Sequence, residues 1–217
     1  MEQAAQFRMN QTIGALKRLR KRQKSLECCE VCSRILGSQH PHLVDPHARR
    51  IICACEGCAL LFEGSAAMAY RRIPRDTFLL RGLEIDAVDW ESLSIPIGLA
   101  FFLLTSVTNA VAAIYPSPGG PVETELSMGA WEELARRHPR VQKMDSDVEA
   151  LLVNRLSGSS RCYLTPIDRC YELTGLLRKS WSGFSGGDQV WIQVDHFFAR
   201  LEAQATVIGA ADARPAV

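Results

Sequence analysis

Cys28-Cys29-Glu30-Val31-Cys32 and, after 22 intervening residues, Cys55-Glu56-Gly57-Cys58 are the stretches on which the fold turns. Each contains a C-x2-C pair. Two thiolates flanking a tight turn reach one ion at about 2.3 Å with tetrahedral angles, and two such turns close a four-coordinate shell. A closed shell leaves no open position, so the spacing points to a structural metal, not a hydrolytic one. The expected ligands are Cys29, Cys32, Cys55 and Cys58. Cys53, five residues before Cys58, is an alternative to Cys55, and Cys28 flanks the first pair. An all-thiolate shell serves zinc and iron alike. A rubredoxin-type iron site prefers Gly after each pair, where this chain has Ser33 and Ala59, so zinc is expected and iron is the alternative.

The residues between the pairs read as a hairpin. His42-Leu43-Val44-Asp45 is one strand, Arg49-Arg50-Ile51-Ile52 its return, and Pro46-His47 lies in the turn. Ala59-Leu60-Leu61-Phe62 starts a helix that Gly64 ends. Knuckle, hairpin and helix in that order resemble a treble-clef zinc finger, with a zinc ribbon close behind. A unit of about 35 residues buries too little apolar surface to fold alone, so metal binding is its main source of folding energy. His40, His42 and His47 read as polar hairpin positions or, alternatively, as ligands for a second metal.

Outward from this module, residues 1–27 form a basic helical or disordered arm of local charge +5, leaving −4 on the remaining 190 residues. The whole chain of 217 residues has a net charge of +1, which gives no mandate for binding nucleic acid or membrane. The arm has no apolar core of the signal-peptide kind, and a cytoplasmic location is expected. Eight cysteines in a reducing compartment suggest metal or redox chemistry before disulfides.

Residues 65–205 read as an α+β domain with an antiparallel sheet and helices, following the metal module at 28–64. Tyr70–Leu80 is a short basic strand broken at Pro74, and Val88–Leu93 a helical turn. Ile95–Tyr115 is uncharged and long enough to test as a membrane span. Its central Thr105-Ser106-Val107-Thr108-Asn109 makes it instead two buried strands, Gly98–Leu104 and Ala110–Tyr115. Pro116–Pro121 reads as loop. Met128–His138 is a helix with Ser127 as N-cap and Pro139 as stop. Val148–Arg155 and Arg161–Ile167 form a second hairpin. Helices at Asp168–Trp181 and Asp188–Ala205 follow, and 206–217 is a disordered tail. Cys162 and Cys170 read as core.

No catalytic residue is assigned, and an enzyme is not the expected reading. Gly183-Phe184-Ser185-Gly186-Gly187 matches G-x-S-x-G, but the polar end of a helix precedes it where a nucleophile elbow needs a buried strand. Ser185 or Asp188 reads as a helix cap there. Cys29-x-x-Cys32 follows a basic arm, not a buried strand, which disfavours thioredoxin-type redox chemistry.

Several stretches together resemble an uncharacterised bacterial family of about 200 residues, encoded beside actinobacterial-type NiFe hydrogenases. They include Cys29-Glu30-Val31-Cys32, His42-Leu43-Val44-Asp45, Cys53-Ala54-Cys55-Glu56-Gly57-Cys58-Ala59-Leu60-Leu61-Phe62, Ile95-Pro96-Ile97-Gly98-Leu99-Ala100-Phe101-Phe102 and Tyr115-Pro116-Ser117-Pro118. Asp147–Val153, Pro166-Ile167-Asp168, Cys170-Tyr171-Glu172-Leu173 and Trp181–Gly187 extend the likeness toward Leu201. The resemblance implies a hydrogenase accessory protein for assembly or docking, with a hydrogenase subunit or maturation factor as partner. Trp131 and Trp181 are candidate anchors for such a partner. The alternatives are a rubredoxin-like iron electron-transfer protein and a nucleic-acid-binding zinc module using the basic arm.

Overall fold

The computed structural model describes residues 27–62, 70–124, 126, 128–158, 160–183 and 186–209. The basic arm up to residue 26, the helix stop at Gly64, the Ser127 cap, Ser185 and residues 210–217 lie outside them.

The metal module is built on a three-stranded antiparallel sheet of order β2-β1-β3, made of β1 (His42–Asp45), β2 (Arg50–Cys53) and β3 (Arg71–Arg72). Asp45 Oδ1 accepts the backbone N–H groups of His47 and Ala48 at 2.9 and 3.0 Å, which folds the β1–β2 turn. Helix α1 (Glu56–Leu61) follows β2. Period-two alternation sends Leu43 of β1 into the module's own small core. Val44, its neighbour, faces the core of the larger domain.

That larger domain is a seven-stranded sheet of order β10-β4-β9-β8-β5-β6-β7. In chain order its elements are β4 (Phe78–Leu80), α2 (Ala87–Ser92), β5 (Leu99–Thr105), β6 (Ala110–Ser117), β7 (Gly120–Thr124), α3 (Met128–Arg136), α4 (Pro139–Gln142), β8 (Glu149–Asn154), β9 (Arg161–Pro166), α5 (Ile167–Ser180), α6 (Asp188–Gln204) and β10 (Thr206–Ile208). Every pairing is antiparallel except β10 with β4.

Both faces of the sheet are covered, which explains why β5 is apolar without alternation. Leu99, Phe101 and Leu103 pack with α5 and α6. Ala100 and Phe102 face the opposite way, toward Trp90 of α2 and Trp131 of α3. A strand buried on both sides loses the polar-out half of its pattern. No helix among the described residues is long and apolar enough to cross a membrane.

Several expectations need correction. Pro116–Pro121 is not simply loop: it holds the end of β6, a tight turn and the start of β7, with Pro116 opposite Pro121. β7 is an edge strand, and β6 pairs with β5 only as far as Ile114, so the missing proline N–H groups cost the ladder little. Tyr70–Leu80 divides between two sheets, β3 in the small one and β4 in the large one. Pro139 starts α4 instead of only ending α3, with His138 as its cap. Gly187, with φ 71°, occupies the N-cap position of α6 without a side-chain bond, so Asp188 does not cap it. Thr206–Ile208 is a strand, not tail. Trp131 is core, stacked on Phe102 at 5.4 Å, and is no exposed anchor. Trp181 is half-buried and meets Trp191 edge-on at 6.2 Å.

Candidate metal centre

The first pair lies on a knuckle. Cys29 N–H donates to the Arg34 carbonyl at 2.8 Å, and Ser33 N–H donates back to the Cys29 carbonyl at 2.7 Å. Ser33 takes φ 61° to close the turn, the conformation that favours glycine after such pairs. Glu30 then ties the knuckle to β2. Its backbone N–H donates to the Cys53 carbonyl at 2.9 Å, and its Oε1 accepts the Cys53 N–H at 3.0 Å. That amide, assisted by Arg50, holds the Glu30 carboxyl below the usual range. The second pair lies at the head of α1, with Cys55 as the extended N-cap residue and Cys58 inside the helix.

These elements bring Cys29, Cys32, Cys55 and Cys58 together, with all four sulfurs within 4.8 Å of one another. Cys32 Sγ and Cys55 Sγ are 3.7 Å apart. Donors 2.3 Å from one ion at tetrahedral angles stand about 3.8 Å apart, so the cluster matches the edge of a thiolate tetrahedron. A disulfide would need about 2.05 Å. Cys29, Cys55 and Cys58 are buried and Cys32 is exposed.

The environment prepares the sulfurs unequally. Burial raises Cys29, but the backbone amides of Cys55, Cys32 and Val31 outweigh it and bring the thiol down to about 6. The Cys58 amide lowers Cys55 against its burial. Cys58 is pushed up to about 12 by the Cys32 sulfur, then by burial and by Cys55 and Cys29. Thiols crowded this closely resist ionising together until a cation compensates them. Donor chemistry, spacing and burial all fit a tetracysteine metal site of the kind that holds zinc or iron.

Cys53 does not join the four. It lies with His40 and His42, one potential ligand atom of each within 4.8 Å of the others. Part of that grouping is readable from the hairpin, because His42 and Cys53 are directly opposite in the β1–β2 register. His42 also meets Asp168 of α5, Nδ1 to Oδ2 at 2.6 Å, a contact across 126 residues with no local signal. His47 belongs to the turn, its amide bonded to Asp45. Cys162 and Cys170 are core, as the sequence suggested, and burial raises both thiols, Cys162 to about 12.

Searches of curated proteins and of solved structures find no match to this chain. Residues 28–205, which take in both cysteine pairs and all of the large sheet except β10, match a family of unknown function, DUF5947, and the chain belongs to that family.

Proposed function

We propose that this protein is a zinc-dependent docking or assembly factor, acting in the cytoplasm on a NiFe hydrogenase subunit or one of its maturation proteins. The observation that carries the reading is the four-sulfur cluster on a module that exposes four large apolar side chains. A shell with no free position holds a shape and performs no hydrolysis. Val31 and Ile35 on the knuckle and Leu60 and Leu61 on α1 are exposed, Leu61 at 66%. Large exposed side chains held on a metal-stiffened frame suit a protein partner. The hydrogenase part of the reading rests on the sequence resemblance alone.

Five arginines in and beside the module already face acidic partners, which weighs against a nucleic-acid surface there. Arg49 pairs with Glu123, Arg50 with Glu30, Arg71 with Asp147, and both Arg72 and Arg75 with Glu56. Phosphate binding draws on cations that acids have not already matched.

Two measurements test the proposal. The purified protein should be colourless and hold zinc tightly; a red protein with visible thiolate-to-iron absorption replaces zinc with the electron-transfer reading. In a host carrying the hydrogenase operon, deletion should lower hydrogenase activity, and zinc-loaded protein should co-purify with a hydrogenase subunit or maturation factor. Unchanged hydrogenase activity in the deletion strain overturns the assignment of partner.

A further inference from the structure

We propose that His40, His42 and Cys53 form a second metal site, separate from the four-sulfur cluster, for a divalent zinc-type cation held by three protein ligands with a fourth position open. The site does not depend on the hydrogenase reading.

The fold supplies the arrangement through strand periodicity. His42 and Cys53 are cross-strand partners, and side chains directly opposite in an antiparallel pair have Cβ atoms about 5 Å apart. His40 precedes His42 by two residues, a spacing that returns a side chain to the same face of an extended chain. The two imidazoles meet edge-on, 5.0 Å between centroids. Glu30 fixes Cys53 through both its N–H and its carbonyl, so the sulfur sits on a braced strand end.

The hydrogen bonds then decide which nitrogens remain for a ligand. His40 Nδ1 is 3.0 Å from the Gly37 carbonyl. A carbonyl only accepts, so Nδ1 carries the proton and Nε2 presents a lone pair. The His40 side chain is only 8% exposed, and its Nε2 is buried with no hydrogen-bond partner. A buried lone pair with nothing to accept from is rare in folded proteins, and a metal ion satisfies it. His42 repeats the pattern, with Nδ1 against the Asp168 carboxylate at 2.6 Å. Metal-binding histidines characteristically donate their other ring N–H to a carboxylate or a backbone carbonyl, which orients the ring and raises its basicity. Here one histidine has the carbonyl and the other has the carboxylate.

A plain His42–Asp168 ion pair accounts for His42 but leaves the His40 nitrogen unexplained. One cation accounts for both rings and the thiol. Two imidazoles and a thiolate suit zinc, cobalt(II) or nickel(II) and disfavour magnesium and calcium. The His42 side chain is 31% exposed, which gives an ion a route in from solvent.

The test uses the full-length chain, stripped of metal under reducing conditions and titrated with Zn2+ against a chromophoric chelator, and with Co2+ in the visible. Wild type should take two equivalents. Cys53→Ser and His40→Gln should each take one, with the tetrathiolate cobalt bands unchanged. Cys29→Ser should lose those bands. Asp168→Asn should keep two equivalents but weaken the second 10- to 100-fold. A single equivalent in wild type overturns the proposal. So does loss of the tetrathiolate bands in folded Cys53→Ser, because Cys53 would then belong to the four-sulfur cluster, or in folded His40→Gln, because the two sites would then not be separate. His40→Gln keeps the test open if Cys53→Ser does not fold.

Discussion

The four-sulfur module and the seven-stranded domain reach stability by different routes. Among the described residues, the buried cluster of the module has seven members, of which three are cysteines, two are alanines, and only Leu43 and Ile52 are large. Each face of the large sheet is covered by a cluster of twenty. Fully burying a large aliphatic side chain contributes about 1.5–3 kcal/mol. Two of them, with Leu36, Phe62 and Tyr70 packed at the edge, make a small core for a segment of about 35 residues. Apolar burial can hold the larger domain, while the module has little of it and carries a tetracysteine site suited to a metal instead. The two regions meet where Val44 and Ile73 enter the core beneath α5 and α6, so the domain also anchors one edge of the module.

The largest effect should come from breaking the shell. Cys29→Ser or Cys58→Ser should abolish tight metal binding at that site and melt the knuckle, the β1–β2 hairpin and α1. Limited proteolysis should then cut within residues 28–62 while a fragment spanning β4 to β10 survives. Survival of an intact module in the metal-free variant would show that its own packing suffices.

The reverse experiment comes next in size. Phe102 sits between Trp131, stacked at 5.4 Å, and Trp90, edge-on at 6.4 Å. Phe102→Ala leaves a cavity there and should cost about 3–5 kcal/mol in denaturant unfolding, with zinc content unchanged. Loss of zinc in the folded variant would mean that the two regions are energetically one.

This contrast also explains what could be read in the sequence. The four cysteines are legible because C-x2-C spacing is local and the chemistry fixes the geometry. β5, β6, β8 and β9 are legible because burial on both faces leaves apolar runs of strand length. β10 is three residues long, two of them exposed, and it exists only because β4, more than 120 residues earlier, offers an edge for Thr206–Ile208. The Pro116–Pro121 hairpin hides behind residues that usually exclude strands and are tolerated only at an edge. Cys53 is ambiguous in sequence, since distance along the chain to Cys58 does not say which way its side chain points. The cross-strand register with His42 does.

A smaller effect belongs to the polar rim of the larger domain. Asp89 of α2 accepts both guanidinium nitrogens of Arg137 at 2.6 Å, joining α2 to the end of α3. Arg137 holds the Asp89 carboxyl below its usual range, against burial. A depressed carboxyl contributes stability that is complete above its unfolded value of about 3.9 and is lost as pH falls through its folded value. Asp89→Asn should cost about 1 kcal/mol at pH 7, a figure kept low because Arg137 is partly in solvent. The difference from wild type should shrink as the pH is lowered below 4. A gap that persists undiminished in acid would assign the loss to the capping box with Asp86 instead of to the charge pair.

The smallest expected change in stability carries the most weight for function. Leu60 and Leu61 point outward from α1 at 57% and 66% exposure, on a module with almost no core to spare apolar residues for. Leu60→Gln with Leu61→Gln keeps helix propensity nearly constant and removes two apolar surfaces that the module does not use for itself. Unfolding free energy should move by no more than about 0.5 kcal/mol, and metal content should not change. If the module is a docking surface, binding to the hydrogenase-linked partner should nevertheless fall at least tenfold. Such a split, with fold and metal intact and binding lost, separates a residue kept for a partner from one kept for the core. Undiminished binding in the double variant would move the docking surface off α1 and leave Val31 and Ile35 of the knuckle to be tested in its place.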